Sequence, residues 1–439
     1  LYYYKDNEKF VFTSELKALK YTIKDKRINK VALNLFLSLS YIPAPFTIYD
    51  NVYKLMPGTF FELNLEGDIK EKKYYSLVNR LKGIKKYTDF NTAKKTLKSL
   101  FKDSIKMRML SDVPVGAFLS GGIDSSIVAS EMSKQSSKPI NTFTIGFWEE
   151  EYDESERAKL VADNIRSNHY VNKIDYKDVV EDLDEIISYY DEPFGDSSAI
   201  PSNYVAKLAR KHVKVVLTGD CADELFAGYE KYLGFYYSAR FNKIPSILKK
   251  IVVKLINSIP HTRTTNSFLR KAKKVIMTAD LNPFELHYEM MCLGFNDVSR
   301  KELLISSNFK EINSIIKMRY YNYNDGNDQE KGFYTDLTTV LEGDMLTKVD
   351  RICMKNSLEA RTPFLDSKIV EFAFSLPLSF KIKGKNKKYI LKETFKGFLP
   401  KETVKLKKKG FNRILVETGL KFLNKLLINK LVYNLYTFR

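Results

Sequence analysis

Hydrophobic and polar positions change rhythm twice along this chain. Residues 1–75 carry short apolar runs broken by turn formers, such as Phe10-Val11-Phe12-Thr13 and, directly after the turn pair Pro57-Gly58, Thr59-Phe60-Phe61-Glu62-Leu63. Runs of that length bounded by turn residues predict strands, so this stretch reads as the closing piece of a β-rich domain. From Asn91 onward Leu97, Leu100, Phe101, Ile105 and Met109 recur at helical spacing, which predicts an amphipathic helix. Apolar runs at 115–119, 140–147 and 213–217, with a shorter one at 169–174, then alternate with helical stretches. That alternation predicts an α/β fold, a parallel sheet with helices on both faces. Beyond about Ser246 the pattern is mostly helical, with an Asn-, Asp- and Tyr-rich loop expected at 320–329.

Ligands of open α/β sheets bind beyond the carboxyl ends of the strands, and those ends carry the most informative residues. Val115-Gly116-Ala117-Phe118-Leu119 runs into Ser120-Gly121-Gly122-Ile123-Asp124-Ser125-Ser126 and then a helical stretch. Glycines let backbone N–H groups converge on a phosphate, and the helix start adds unpaired donors and positive potential. A plain Gly-Gly turn with an Asp-Ser cap is the alternative, but the strand-to-helix context favours a nucleotide site. The Walker pattern G-x-x-x-x-G-K-[ST] is absent.

A second group, Leu217-Thr218-Gly219-Asp220-Cys221-Ala222-Asp223-Glu224, places three carboxylates at a strand end. They would repel one another unless a cation sits among them; a solvated acidic helix start is the other reading. Upstream, Asp191-Glu192-Pro193-Phe194-Gly195-Asp196-Ser197-Ser198 offers further acidic and hydroxyl groups. A third group joins Leu346-Thr347-Lys348-Val349-Asp350-Arg351 to Glu359-Ala360-Arg361-Thr362-Pro363-Phe364-Leu365-Asp366. Arg361 could grip a carboxylate bidentately or pair structurally with Glu359 or Asp366. A fourth, Lys385-Asn386-Lys387-Lys388-Tyr389-Ile390-Leu391-Lys392, is either a surface lysine run or the source of a cation for transferring phosphate.

Composition narrows the class. The 439 residues are 44% hydrophobic and 28% charged, ordinary for two or three globular domains. The apolar run at 244–259 is interrupted by Lys249, Lys250 and Lys254, so no membrane span is expected. Cys221, Cys292 and Cys353 are scattered and form no C-x-x-C pair, which argues against a disulfide framework or zinc site and fits a reducing cytoplasm. A formal charge of +19 invites a nucleic-acid reading, but the lysines are spread along the whole chain, including 405–409, as on a solvated surface. Residue 1 is leucine and no basic-then-apolar leader follows, so the chain is expected to begin within a longer protein.

These motifs, in this order, resemble the glutamine-dependent asparagine synthetase family, B type. The loop resembles the S-G-G-x-D-S element of ATP-pyrophosphatases, followed by the family's [ST]-G-[DE]-G-x-D-E-x-F-G-G-Y, K-V-D-R, E-A-R-x-P-F-L-D and K-x-x-L-R, from Leu1 to about Phe411. The resemblance implies a Rossmann-like ATP-pyrophosphatase domain over 91–439 and the end of a class II glutamine amidotransferase domain over 1–75. It implies ATP and Mg²⁺ as cofactors and aspartate as substrate, adenylated to β-aspartyl-AMP and then amidated by ammonia, which glutamine would supply in the full-length protein. Leu119, Ile145, Thr218 and Gly219 match adenosine positions, and Ser120, Gly121, Gly122, Asp124 and Ser125 the pyrophosphate loop. Asp124 and Asp223 match the metal ligands, Asp220 the base acting on ammonia, Lys388 the lysine at the transferring phosphate, and Arg361 the segment near aspartate. A homodimer is compatible with the resemblance.

Three positions depart from the pattern. Cys221 and Ala227 replace glycines, so a left-handed backbone there would be strained, and Lys392 replaces an arginine. The family's glutaminase nucleophile is an N-terminal cysteine, whereas the first cysteine here is Cys221, so this stretch is expected to use free ammonia. Two alternatives share the loop: an amidotransferase for another carboxylate, such as a β-lactam synthetase-like or surface-polysaccharide enzyme, and a tRNA-modifying ATP-pyrophosphatase.

Overall fold

The computed structural model describes residues 1–6, 8–23, 26–148, 153–241, 281–304 and 309–400, together with 244, 245 and 248. The lysine runs at 249–254 and 405–409 lie outside them. In the N-terminal unit β1 (Tyr2–Lys5) pairs antiparallel with both β2 (Phe10–Thr13) and β3 (Val52–Lys54). Asp6 closes the β1–β2 turn by accepting the amides of Glu8 and Lys9 at 2.9 and 2.8 Å. A second hairpin joins β4 (Thr59–Leu63) to β5 (Ile69–Lys73). The unit is not purely β. A helix, Lys30–Leu39, starts where Asn29 accepts the Ala32 amide at 2.9 Å and packs Ala32 against Tyr2, Leu16, Ile42 and Val52.

The expected parallel sheet is present and has five strands, in the order β10-β9-β6-β7-β8. They are β6 (Val115–Phe118), β7 (Asn141–Phe147), β8 (Asn168–Ile174), β9 (Val215–Leu217) and β10 (Glu359–Arg361). Side chains alternate across a strand: Leu217 enters the core on one face with Leu97, Phe101, Ile127 and Met132, while Val216 enters the other with Phe143, Ala206 and Ile352. Helices Phe90–Met109 and Ile123–Gln135 therefore cover one face, and Ala199–Arg210 and Thr347–Lys355 the other. The chain builds β6, β7 and β8 in one direction and then returns to place β9 on the opposite side of β6. The carboxyl ends of β6 and β9 thus frame the crevice in which such folds bind ligands.

Among the described residues the C-terminal part is helical, apart from β10. The expected loop at 320–329 is shorter than its composition suggests, because helix Phe309–Asn322 runs into it and Asp328–Asp336 begins early. Asn327 sets that start: its side chain accepts the amides of Gln329 and Glu330, each at 3.1 Å, while Glu330 caps the Asn327 amide at 3.3 Å. Asn327→Ala should therefore cost about 1 kcal/mol, read from the urea unfolding midpoint; an unchanged midpoint would show the box to be dispensable. At the other end of this helix the buried Asp336 joins Lys231 at 2.7 Å, Tyr232 Oη at 2.6 Å and His287 Nε2 at 3.2 Å. Burial alone would raise the Asp336 carboxyl, but Lys231 and His287 hold it well below its usual range. No helix among the described residues is long and apolar enough to cross a membrane.

Candidate active site

The loop after β6 is shaped by close backbone contacts. Leu119 is buried, donates its amide to Phe143 O at 2.9 Å and accepts Thr144 Oγ1. Gly121 has φ +69°, and a Cβ there would lie 2.6 Å from Ala158 N, so only glycine fits both the angle and the space. Gly121→Ala should cost about 2 kcal/mol from strain and overpacking, measured by urea unfolding; wild-type stability would mean that the neighbouring helix yields. Ser125 Oγ accepts the Ser120 amide at 3.2 Å and lies 3.0 Å from Ser120 Oγ, while Gly122 N donates to Ser120 Oγ at 3.3 Å. Gly122 caps helix Ile123–Gln135 without a side chain over its first amides, an arrangement that suits an anion.

The loop after β9 touches this helix start. A Cβ on Gly219 would lie 2.6 Å from Ser125 N, so the two strand ends meet through bare backbone. Thr218 donates its amide to Arg361 O at 2.9 Å, yet its buried Oγ1 has no hydrogen-bond partner among the described residues; nor does that of Ser126. Ile145 is buried in β7, beside Phe147 and Ile174. Both replaced glycines, Cys221 and Ala227, are indeed left-handed, with φ 75° and 58°, a strain of about 1–2 kcal/mol each.

The two loops converge on Lys388. Its Nζ contacts Asp124 Oδ2 and lies 2.7 Å from Asp223 Oδ1, in a group where all three side chains are largely buried. Lys388 is itself left-handed, φ 54°, and precedes helix Tyr389–Phe395. A Cβ at Gly228 would fall 1.7 Å from Asp223 Oδ1 and 2.2 Å from Lys388 Cε, so that glycine makes room for the ion pair. Next to it Glu224 is buried and accepts Tyr229 Oη at 2.7 Å; burial, with the Asp223 charge, pushes its carboxyl up to about 7. Two carboxylates facing one cation suit a hard divalent ion. No cluster of three or more His, Cys, Asp or Glu able to hold a metal occurs among the described residues.

A second charged group lies on the Asp220 side. Lys348 Nζ binds Asp196 Oδ2 and Ser198 Oγ, both at 2.8 Å. Burial works against the Lys348 charge, but Asp196, Asp344 and Asp220 raise its proton affinity. Burial and the Asp196 charge push Asp344 well above its ordinary value, while burial, which would also raise Asp196, is outweighed by Lys348 and Ser198, which lower it. Asp220 itself is half-buried in the turn after Gly219. The sequence singled out both segments of this group without indicating that they meet. Arg361 follows the structural alternative: Nε lies 2.6 Å from Glu359 Oε1, and Nη1 donates to Arg108 O and Leu110 O at 2.9 and 2.8 Å. Lys392 Nζ donates to Asn386 Oδ1 at 2.6 Å.

Residues 96–433 match the family model described as asparagine synthase. The chain belongs to the asparagine synthase family. Residues 1–75 match a second model, described as a glutamine amidotransferase domain. The chain is 33% identical over 415 residues to asparagine synthetase [glutamine-hydrolyzing] 1 of Bacillus subtilis, an alignment covering 94% of this chain and 63% of that protein. A Methanocaldococcus jannaschii protein named as a second asparagine synthetase of this kind is 36% identical over 364 residues, 80% of this chain and 67% of that one. Amidase chyE of Penicillium rubens is 24% identical over 419 residues, 83% of this chain and 59% of its own. The chain thus spans 59–67% of the length of these relatives.

Proposed function

We propose that this chain is the synthetase part of a glutamine-dependent asparagine synthetase, with residues 91–439 as the ATP-using domain and residues 1–75 as the end of a glutamine amidotransferase domain. The observation that carries the reading is Lys388 bridging Asp124 and Asp223 above a serine- and glycine-rich loop, at the crevice between β6 and β9. The side-chain carboxylate of aspartate attacks the α-phosphorus of ATP, forming β-aspartyl-AMP as the bond to pyrophosphate breaks. Donors from residues 120–125 hold the departing pyrophosphate, and Lys388 offsets charge on the transferring group. Mg²⁺, held by Asp124 and Asp223, would neutralise phosphate oxygens. Leu119, Ile145, Thr218 and Gly219 receive the adenosine; the unsatisfied Thr218 hydroxyl supplies a hydrogen bond there.

Ammonia then attacks the acyl carbon, Asp220 takes the proton it sheds, and AMP leaves with its electron pair to give asparagine. In the full-length protein glutamine supplies the ammonia. Exchange of labelled pyrophosphate into ATP tests the reading: it should depend on aspartate in a panel of carboxylates. Dependence on another carboxylate would move the chain to a sister activity, as the distant relation to an amidase allows, and no exchange with any would overturn adenylation.

A further inference from the structure

The Lys-Val-Asp-Arg motif faces two ways. On helix Thr347–Lys355, Lys348 points to Asp196, whereas Arg351, one turn on, donates to Tyr2 Oη at 2.8 Å and Ser14 O at 3.3 Å in the N-terminal unit. The segment 191–196 is gripped from the same side. Lys54 of β3 forms a buried ion pair with Glu192 and donates to Ile42 O at 2.6 Å. The second Glu192 oxygen accepts the Ile48 amide at 3.3 Å. Asp191, left-handed at φ 63°, accepts the Lys17 amide at 3.2 Å, and Gly195 donates to Ser40 O at 2.8 Å. A Cβ on Gly195 would lie 3.0 Å from Ser40 Cβ. The polar partners just named for 191–195 all come from residues 17–54; Arg351 adds an approach of 4.0 Å to Asp191 Oδ2 and Phe194 stacks on Tyr190, and the next residue is Asp196.

We infer that Lys54 and Glu192 are positioning residues for the synthetase reaction: their buried pair fixes the 191–196 segment, and Asp196 in turn fixes Lys348 beside Asp220. An ion pair removed from water is costly unless both charges are fully partnered, and here the partners join two units of the chain, so its removal frees the segment as well as the charges. The N-terminal unit is on this view a structural wall of the amide-forming site. Its effect falls on the step that uses Asp220 and spares the phosphate loop of residues 120–125, which follows β6. This inference rests on the function proposed above.

The test uses the full chain with Lys54→Met/Glu192→Leu, which removes both charges together, and with the conservative Lys54→Arg and Glu192→Gln. Aspartate-dependent pyrophosphate exchange and ammonia-dependent asparagine formation are measured on each, with hydrogen exchange of amides 191–198. The double variant should retain exchange within about twofold while amide formation falls about tenfold and the 191–198 amides lose protection. Lys54→Arg should restore both. Equal loss of the two activities, or no loss of either, would overturn the positioning role; if the double variant does not fold, Glu192→Gln gives the same two outcomes. Absence of exchange in the unaltered protein would instead overturn the proposed function, and the amide protection pattern alone would then decide whether the clamp exists.

Discussion

Lys388→Met is expected to reduce aspartate-dependent pyrophosphate exchange by about 10²–10³-fold, equivalent to about 3–4 kcal/mol of transition-state stabilisation. The size follows from where the charge sits. Lys388 is largely buried, its Nζ is shared between Asp124 and Asp223, and its backbone is left-handed at the start of helix Tyr389–Phe395. A cation so placed is oriented before substrate arrives and little screened by water. Its removal leaves two carboxylates facing one another without their cation, so the variant should also bind Mg²⁺-ATP differently. The informative comparison is therefore kcat against KM for ATP. A loss confined to KM, with kcat intact, would show that Lys388 acts on ground-state binding alone. Lys388→Arg is not a conservative control, because a planar fork cannot reproduce one nitrogen between two carboxylates.

The convergence on Lys388 was readable in outline from sequence. Strand ends in an alternating α/β pattern direct attention to Ser120–Ser125 and to Thr218–Glu224, and both lie where the sheet order reverses. Lys388 itself sits 264 residues from Asp124 in a lysine-rich stretch whose local pattern suits a surface equally well, so only the family resemblance could assign it. What local pattern missed has a common physical cause. β10, Glu359-Ala360-Arg361, lacks the apolar and β-branched residues of a buried strand; it forms an exposed-to-half-buried edge strand because β9 offers it a parallel ladder at Val215–Leu217. Helix Lys30–Leu39 was hidden within a stretch of short apolar runs, and the Asp196–Lys348 contact spans 152 residues. For β10 and for the Asp196–Lys348 contact tertiary pairing, not local propensity, decides the outcome. Arg361 shows the reverse: both candidate roles were legible, and its neighbours Glu359, Arg108 and Leu110 take its donors.

Lys381→Met should stabilise the protein, by about 2–4 kcal/mol near pH 6.5. Lys381 ends the short helix Leu378–Lys381 and is 3% exposed. Its Nζ lies 4.3 Å above the Phe333 ring and 5.6 Å from that of Phe374. Glu330, the carboxylate nearest in charge, is already paired with Lys86 at 2.6 Å. Burial, reinforced by Lys86 and only partly opposed by Glu330, pulls the amine down from 10.5 to about 7. The sign follows from proton counting. Between about 7 and 10.5 the unfolded chain carries a proton on this amine that the folded chain does not, so stability rises with pH across that window and the penalty is greatest below it. The ring faces offset part of the cost, as does a cavity of about 280 Å³ lined by Lys86, Asn327, Phe333 and Lys381 that can admit water, which is why the expected gain is less than the full shift implies. Methionine retains the length of the stem without the charge. Urea unfolding of the variant and the parent should give midpoints that differ most near pH 6.5 and converge toward about pH 10. A gain that does not shrink with pH would mean that packing, not the desolvated amine, separates the two proteins, and a loss at every pH would mean that the two phenyl rings hold Lys381 as a cation.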